Sequence, residues 1–219
     1  MANEDGQPGF HPFHNDPDHH ILIRSENGIL FRASEYHLCE ASEFFRDLLN
    51  DDSIKPDTSN SNMIELGYPS EVIAVFLDLV SSSHPALPMD MEWSQITSLH
   101  KLVDYTICSS KIQSLMGKAF EEASIRDPLK VLEYASEVND IDMVKRAVFS
   151  IKDSTMLRFR SQRAPENMSS LLTFLNGLRP SFQLAFLKAC LWFDRPNQQF
   201  SLQWPMNSGR FSPEAYVFS

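Results

Sequence analysis

The chain has few cysteines and few glycines, which excludes several kinds of chemical site. Cys39, Cys108 and Cys190 lie far apart and form no C-x-x-C pair, so the spacing of a metal site is absent. We interpret them as three reduced thiols, which indicates an intracellular location, in the cytoplasm or the nucleus. Seven glycines are also few for a phosphate-binding loop, and neither a G-x-G-x-x-G nor a P-loop pattern occurs.

Catalytic motifs and long apolar runs are missing as well. No G-x-S-x-G pattern occurs, and no set of residues forms a candidate catalytic constellation. The longest apolar runs are too short to span a bilayer, and the polar, acidic residues 1–18 do not resemble a secretion signal. We therefore expect a protein that is not an enzyme, binds no cofactor and does not enter a membrane.

Four of the seven histidines lie close together near the N-terminus, which raises the question of a metal site. They are His11, His14, His19 and His20. No cysteine accompanies them, and no helical pattern fixes their spacing. The sequence therefore predicts no metal site, and residues 1–18 are interpreted as a flexible lead-in.

Charge is unevenly distributed along the chain. Residues 1–110 contain 18 acidic and 5 basic residues, whereas residues 111–219 contain 11 acidic and 14 basic residues. An acidic first half repels a phosphate backbone, which argues against nucleic-acid binding by that half. The asymmetry also indicates two units with different surfaces.

Hydrophobic periodicity predicts an α+β unit followed by helices. Two short strands, His20–Arg24 and Ile29–Arg32, flank Asn27-Gly28, a pair typical of a type I′ hairpin turn. Two helices capped by Ser34 and Ser42, a third strand and further helices follow. Asp127 and Asp140 are predicted to cap two helices that pack antiparallel, and Gly177 is predicted to end a later helix. The predicted divisions are 1–18 (lead-in), 19–123 (α+β domain), 124–193 (helical region) and 194–219 (irregular tail).

Several segments in this order resemble BTB/POZ domains. The run Leu22–Ala33 is similar to the opening hairpin of that family, and Leu38–Leu49 is similar to its L-x-x-x-S-x-x-F-x-x-L segment. Val103-Asp104-Tyr105 resembles the family's A-D-x-Y region, and Asp127-Pro128-Leu129 resembles the start of the helical tail in divergent fungal members. The resemblance implies a small sheet capped by helices, followed by an all-helical C-terminal region.

Two kinds of interface residue follow from the resemblance. Members of the family usually carry an Asp and a His on the pocket side of the dimer surface, where this chain has His20 and Ser34. This exchange predicts a monomer or a weak dimer. The nearest match to the family's cullin-contacting motif is Leu49-Asn50-Asp51, with Asp in place of Glu.

The resemblance implies a protein–protein interaction module or adaptor. The expected partners are other proteins, with a cullin-type ubiquitin ligase scaffold and a second copy of the chain as the two candidates. The alternative is a nucleic-acid-linked transcriptional regulator that uses the basic residues Lys152, Arg158, Arg160 and Arg163. A solvated helix face that balances the acidic first half is the simpler interpretation of this stretch.

Overall fold

The computed structural model describes residues 9–50, 63–151 and 165–192, although several side chains in the last of these ranges are not described. Contacts divide the chain into two compact units, and the border falls between Ala119 and Phe120. The first unit is mixed α+β, with a small three-stranded sheet and several helices, and the described part of the second unit is helical. The predicted α+β class is therefore confirmed at this coarse level.

The strands are β1 (Ile21–Arg24), β2 (Leu30–Ala33) and β3 (Met63–Glu65). The helices of the described residues are α1 (Glu35–Ala41), α2 (Glu43–Asn50), α3 (Ser70–Ser81), α4 (Trp93–Tyr105), α5 (Ser110–Arg126), α6 (Pro128–Val138), α7 (Ile141–Ser150), α8 (Pro165–Gly177) and α9 (Pro180–Trp192). No helix of the described residues is both long enough and apolar enough to cross a membrane.

Strand β1 is the centre of the sheet, whose order is β2-β1-β3. It pairs antiparallel with β2, with Ile23 opposite Phe31, and parallel with β3, with Ile23 opposite Ile64. Ile23 and Phe31 are fully buried, and alternate residues of both strands point into the core. This alternation is the pattern of a sheet with one face on a hydrophobic core.

The β1–β2 turn differs from the predicted type I′ turn. That turn needs positive φ at both central residues, yet among residues 25–29 only Gly28 has it, with φ of +81°. The N–H of Gly28 donates to Ser25 O (3.0 Å) and the N–H of Ser25 donates to Ile29 O (3.0 Å), which is a type I turn followed by a bulge at Gly28. The predicted hairpin is confirmed, but its predicted turn type is wrong.

Asn27, a residue of this turn, hydrogen-bonds the first residue of helix α3. Its side-chain Nδ2 donates to Ser70 Oγ (2.9 Å), and its Oδ1 accepts from the N–H of Ser70 (3.1 Å). Ser70 is the first residue of α3, whose preceding residue, Pro69, makes no side-chain cap. Asn27 therefore satisfies a helix N–H that has no partner within its own helix.

Residues 9–14 pair with β2, although the sequence predicts a flexible lead-in over residues 1–18. The N–H of His11 donates to Leu30 O (2.8 Å), and the N–H of Leu30 donates to Gly9 O (3.1 Å). The N–H of Arg32 donates to His14 O (2.8 Å). This pairing extends the sheet on the side of β2 that faces away from β1. The segment lacks the alternating apolar pattern by which a strand is recognised in sequence.

The α6–α7 hairpin of the second unit follows the predicted caps closely. The Asp127 side chain accepts from the N–H of Lys130, and the Asp140 side chain accepts from the N–H of Met143 (2.9 Å). Pro128 occupies the first helical position, where a missing N–H has no cost. Asn139 adopts the left-handed conformation between the helices, with φ of 61°. The two helices pack against each other, as predicted for this pair.

Candidate protein-interaction surface

The first turn of α2 is bonded to the chain that follows α4. The N–H groups of Glu43 and Phe44 donate to the carbonyl oxygens of Ile107 (3.2 Å) and Thr106 (3.4 Å). The N–H of Phe45 donates to Ser42 Oγ (3.2 Å). All three N–H groups lack partners within α2, so residues 106 and 107 act together with Ser42 as its cap. We call residues 42–45 and 105–108 the α2–α4 junction.

Two buried hydroxyl groups hold this junction together. Ser42 is 1% exposed, and its hydroxyl donates to the carbonyl of Thr106 while its oxygen accepts from Phe45. Thr106 is fully buried, and its hydroxyl donates to Leu102 O (2.8 Å) within α4. Buried polar groups with complete hydrogen bonds favour one arrangement, because every alternative leaves a donor or acceptor unpaired.

Ile107 adopts an uncommon backbone conformation at the end of α4. Its φ is +49°, and its N–H donates to Asp104 O (3.0 Å) while the N–H of Cys108 donates to Val103 O (3.1 Å). These two bonds form a Schellman motif, in which the left-handed residue is usually glycine. For a β-branched residue this conformation is strained. Asn139 adopts the same conformation after α6, where asparagine is a common choice.

The junction presents large apolar side chains to solvent. Tyr105 is 57% exposed and Ile107 is 53% exposed. The Tyr105 ring packs against the half-buried Phe44, with centroids 5.1 Å apart. Phe44 in turn packs edge-on against the fully buried Phe45 (5.2 Å). The exposed Tyr105 ring is therefore supported by a stack of aromatic side chains that extends into the core.

Cys108 lies buried in the junction. Burial raises the pKa of its thiol above the usual value, while the contact with the Thr106 hydroxyl lowers the pKa by a smaller amount. A thiol with a raised pKa is a weak nucleophile at neutral pH. Cys39, by contrast, is only half-buried.

The predicted dimer-surface residues, His20 and Ser34, lie opposite each other. They flank the Ile21–Ala33 pair at the open end of the β1–β2 hairpin. His20 is exposed, whereas Ser34 is half-buried and caps α1 by accepting from the N–H of His37 (3.5 Å). Their place at a dimer surface, which the resemblance implies, stays a prediction.

The predicted cullin-contact residues lie at the other end of α2 from the junction. Leu49 is half-buried and Asn50 is exposed, and both belong to the last turn of that helix. Asp51, the third member of the motif, lies outside the described residues. All four residues of the basic stretch, Lys152, Arg158, Arg160 and Arg163, also lie outside the described residues, so the nucleic-acid hypothesis stays a prediction.

The sequence does not predict that the side chains of Ile107 and Tyr105 are exposed. Tyr105 stands out in the sequence only through its resemblance to the A-D-x-Y region, and isoleucine gives no sequence signal for a left-handed conformation. In the described ranges, no group of three or more His, Cys, Asp or Glu side chains has the geometry to hold a metal ion. Comparison of the chain with known protein families and with curated proteins gives no match.

Proposed function

We propose that this chain is a protein–protein interaction adaptor of the BTB/POZ type, and that the α2–α4 junction is its main docking surface. The observation that carries the proposal is Ile107, an exposed β-branched side chain in a conformation where glycine costs less. Strained residues persist where the surrounding structure holds them in place, and they are concentrated at functional sites. A neighbouring exposed aromatic side chain, Tyr105, is of the type enriched in the energetic centres of interfaces.

The rigidity of the junction supports the same proposal. Binding costs less when the anchoring side chains are already fixed in the free protein. Tyr105 packs against Phe44, and the backbone on either side is fixed by the buried hydroxyl groups of Ser42 and Thr106. The partner proposed from the resemblance is a cullin-type scaffold, and a second copy of the chain is the other candidate. The helical second unit would then recruit or orient another protein.

The sharpest test is the variant Ile107→Gly, because it separates binding from stability. Glycine relieves a left-handed strain of about 1–2 kcal/mol and costs roughly 0.5–1 kcal/mol in lost chain entropy. We therefore expect a fold as stable as the wild type or more stable, together with weaker partner binding. Hydrogen exchange of core amides measures the first quantity, and recovery of partners by affinity purification and mass spectrometry measures the second.

Tyr105→Ala tests the aromatic anchor, and Tyr36→Ala is its matched control. Tyr36 is 69% exposed on α1, so truncation there removes a similar area away from the junction. Loss of an interface hot spot costs 2 kcal/mol or more, which is about a 30-fold weaker Kd. We expect this weaker Kd when Tyr105→Ala binds the recovered partner, which is replaced by a purified cullin scaffold if the scaffold is that partner. If Tyr105→Ala, Tyr36→Ala and Ile107→Gly all bind the partner with the same affinity, the junction is not the docking surface.

A further inference from the structure

Residues 9–14, which we call the N-terminal strap, cover the outer edge of β2. Three backbone hydrogen bonds hold the strap in place, two with Leu30 and one from Arg32 to His14. An uncovered sheet edge presents unpaired N–H and C=O groups, which is a template for binding another strand. The strap therefore determines whether this edge of the first unit is closed or open.

The side chains of the strap form a stack of rings on the core. The His11 ring lies on the Phe31 ring with centroids 4.8 Å apart and planes 18° apart. The His14 ring lies 5.2 Å from the His11 ring at 30°. Phe31 is fully buried beneath this stack. Two imidazole rings so close together pack well when both are neutral and repel each other when both are charged.

Charged groups from the neighbouring elements surround the strap, and they include both acidic and basic side chains. On α3, the Oδ1 atom of Asp78 lies 3.3 Å from Nε2 of His14. The charge of Glu71, on the same helix, raises the pKa of His11. A hydrogen bond with the backbone of Ala74 raises the pKa of His14, whereas the like charge of His19 lowers it. From β2, the Arg32 guanidinium lies 5.0 Å above the Phe10 ring.

Burial decides the balance between these groups. Desolvation is the largest influence on both histidines and lowers the pKa of each below 6.5, and the charge of His14 lowers that of His11 further. Asp78 acts in the opposite direction, but its side chain is largely exposed, so solvent screens its attraction. Nδ1 of His11 is buried and has no hydrogen-bond partner among the described residues, which also disfavours a proton there.

We propose that the N-terminal strap is a pH-sensitive cover, which closes the β2 edge when His11 and His14 are neutral and leaves it when they are protonated. In the released strap both histidines take up protons more readily than in the docked strap. Docking is therefore at full strength above about pH 6.5, weakens as the pH falls below that value, and levels off below the lowered pKa values of the docked state. Each histidine contributes at most about a tenfold loss of docking per pH unit.

Amide hydrogen exchange of the full-length chain between pH 5.5 and 7.5 tests this cover directly. The amides of Leu30 and Arg32 donate to the strap alone, so their protection, corrected for intrinsic exchange, reports docking. We expect that protection to fall at least several-fold from pH 7.5 to pH 5.5. The amide of Ile73, which donates to Pro69 O within the first turn of α3, is the internal control and should remain protected.

Two variants distinguish the cover from a simple ion pair. The double variant His11→Phe/His14→Gln keeps a ring on Phe31 but cannot titrate, so Leu30 and Arg32 should remain protected at pH 5.5. Asp78→Asn removes the attraction for a protonated His14 and should deepen the loss of protection in acid. If the His14–Asp78 ion pair held the strap instead, acid would strengthen docking and Asp78→Asn would abolish the pH effect. Either that result or an unchanged pH dependence in the double variant would overturn the proposal.

Discussion

Ser42 occupies the point at which α1 ends, α2 begins and the chain after α4 passes over both. Its hydroxyl makes two hydrogen bonds there, one along the chain to Phe45 and one across it to Thr106. The place of Ser42 before Glu43 and an apolar helical face predicts a helix cap, and this prediction is confirmed. The bond to Thr106 joins residues 64 positions apart, and local pattern carries no information about such a pair.

Replacing Ser42 with alanine should destabilise the first unit by about 2 kcal/mol. The substitution removes a helix cap and leaves a buried donor without a partner, effects of roughly 0.5–2 kcal/mol and 1–3 kcal/mol that overlap here. A chain with two compact units need not unfold in one step, so a single denaturation curve is not suitable. Native-state hydrogen exchange of the Ile73 amide reports on the first unit.

Ser81→Ala is the control for this measurement. Ser81 is the exposed last residue of α3, and substitutions at such positions usually change stability by no more than about 0.5 kcal/mol. Equal exchange rates in the Ser42 and Ser81 variants would contradict the structural role assigned to Ser42.

Helices α6 and α8 of the second unit approach each other closely at a glycine. Gly177 ends α8, and a Cβ placed on it would lie 2.8 Å from Cδ of Glu133 in α6. The N–H of Arg179 donates to the buried Ser136 Oγ (2.9 Å) just beyond this contact. The sequence predicts that a helix ends at Gly177, but it does not predict that another helix approaches this glycine closely.

This close approach predicts a coupled pair of substitutions. Alanine is favoured over glycine in a helix by up to about 1 kcal/mol, so Gly177→Ala should stabilise the second unit when Glu133 is also alanine. In the wild-type background the displaced Glu133 side chain should cancel or reverse that gain. A double-mutant cycle, measured by hydrogen exchange of amides in α6, should give a coupling of at least about 0.5 kcal/mol. Additive effects would mean that the two helices do not meet at this contact.

Most helices and strands were predictable because their signals are local. The capping residues Ser34, Asp127 and Asp140 mark helix starts within one turn of the chain, and the structure confirms all three. Features that depend on distant partners were missed. The side chain of Asn27 caps α3, which lies 43 positions away, and the N-terminal strap owes its order to the edge of β2.

At the scale of the whole molecule, the acidic first half influences which partners it can meet. An excess of acidic residues over residues 1–110 speeds association with a basic surface and opposes association with a like surface. The docking surface proposed at the junction is apolar at its centre, so this charge would act mainly on the rate of encounter. A second copy of the chain carries the same excess and is repelled.

The oligomeric state is therefore a prediction about the whole molecule. We expect light scattering at micromolar concentration to give the monomer mass of 25.1 kDa, since the chain is acidic and has His20 and Ser34 where the resemblance implies a dimer-forming Asp and His. A mass twice as large would contradict this expectation. The double variant His20→Asp/Ser34→His tests the cause, because the two positions flank the same end of the β1–β2 hairpin. A concentration-dependent rise in mass in that variant would mean that these two side chains decide the oligomeric state, whereas an unchanged monomer mass would mean that they do not.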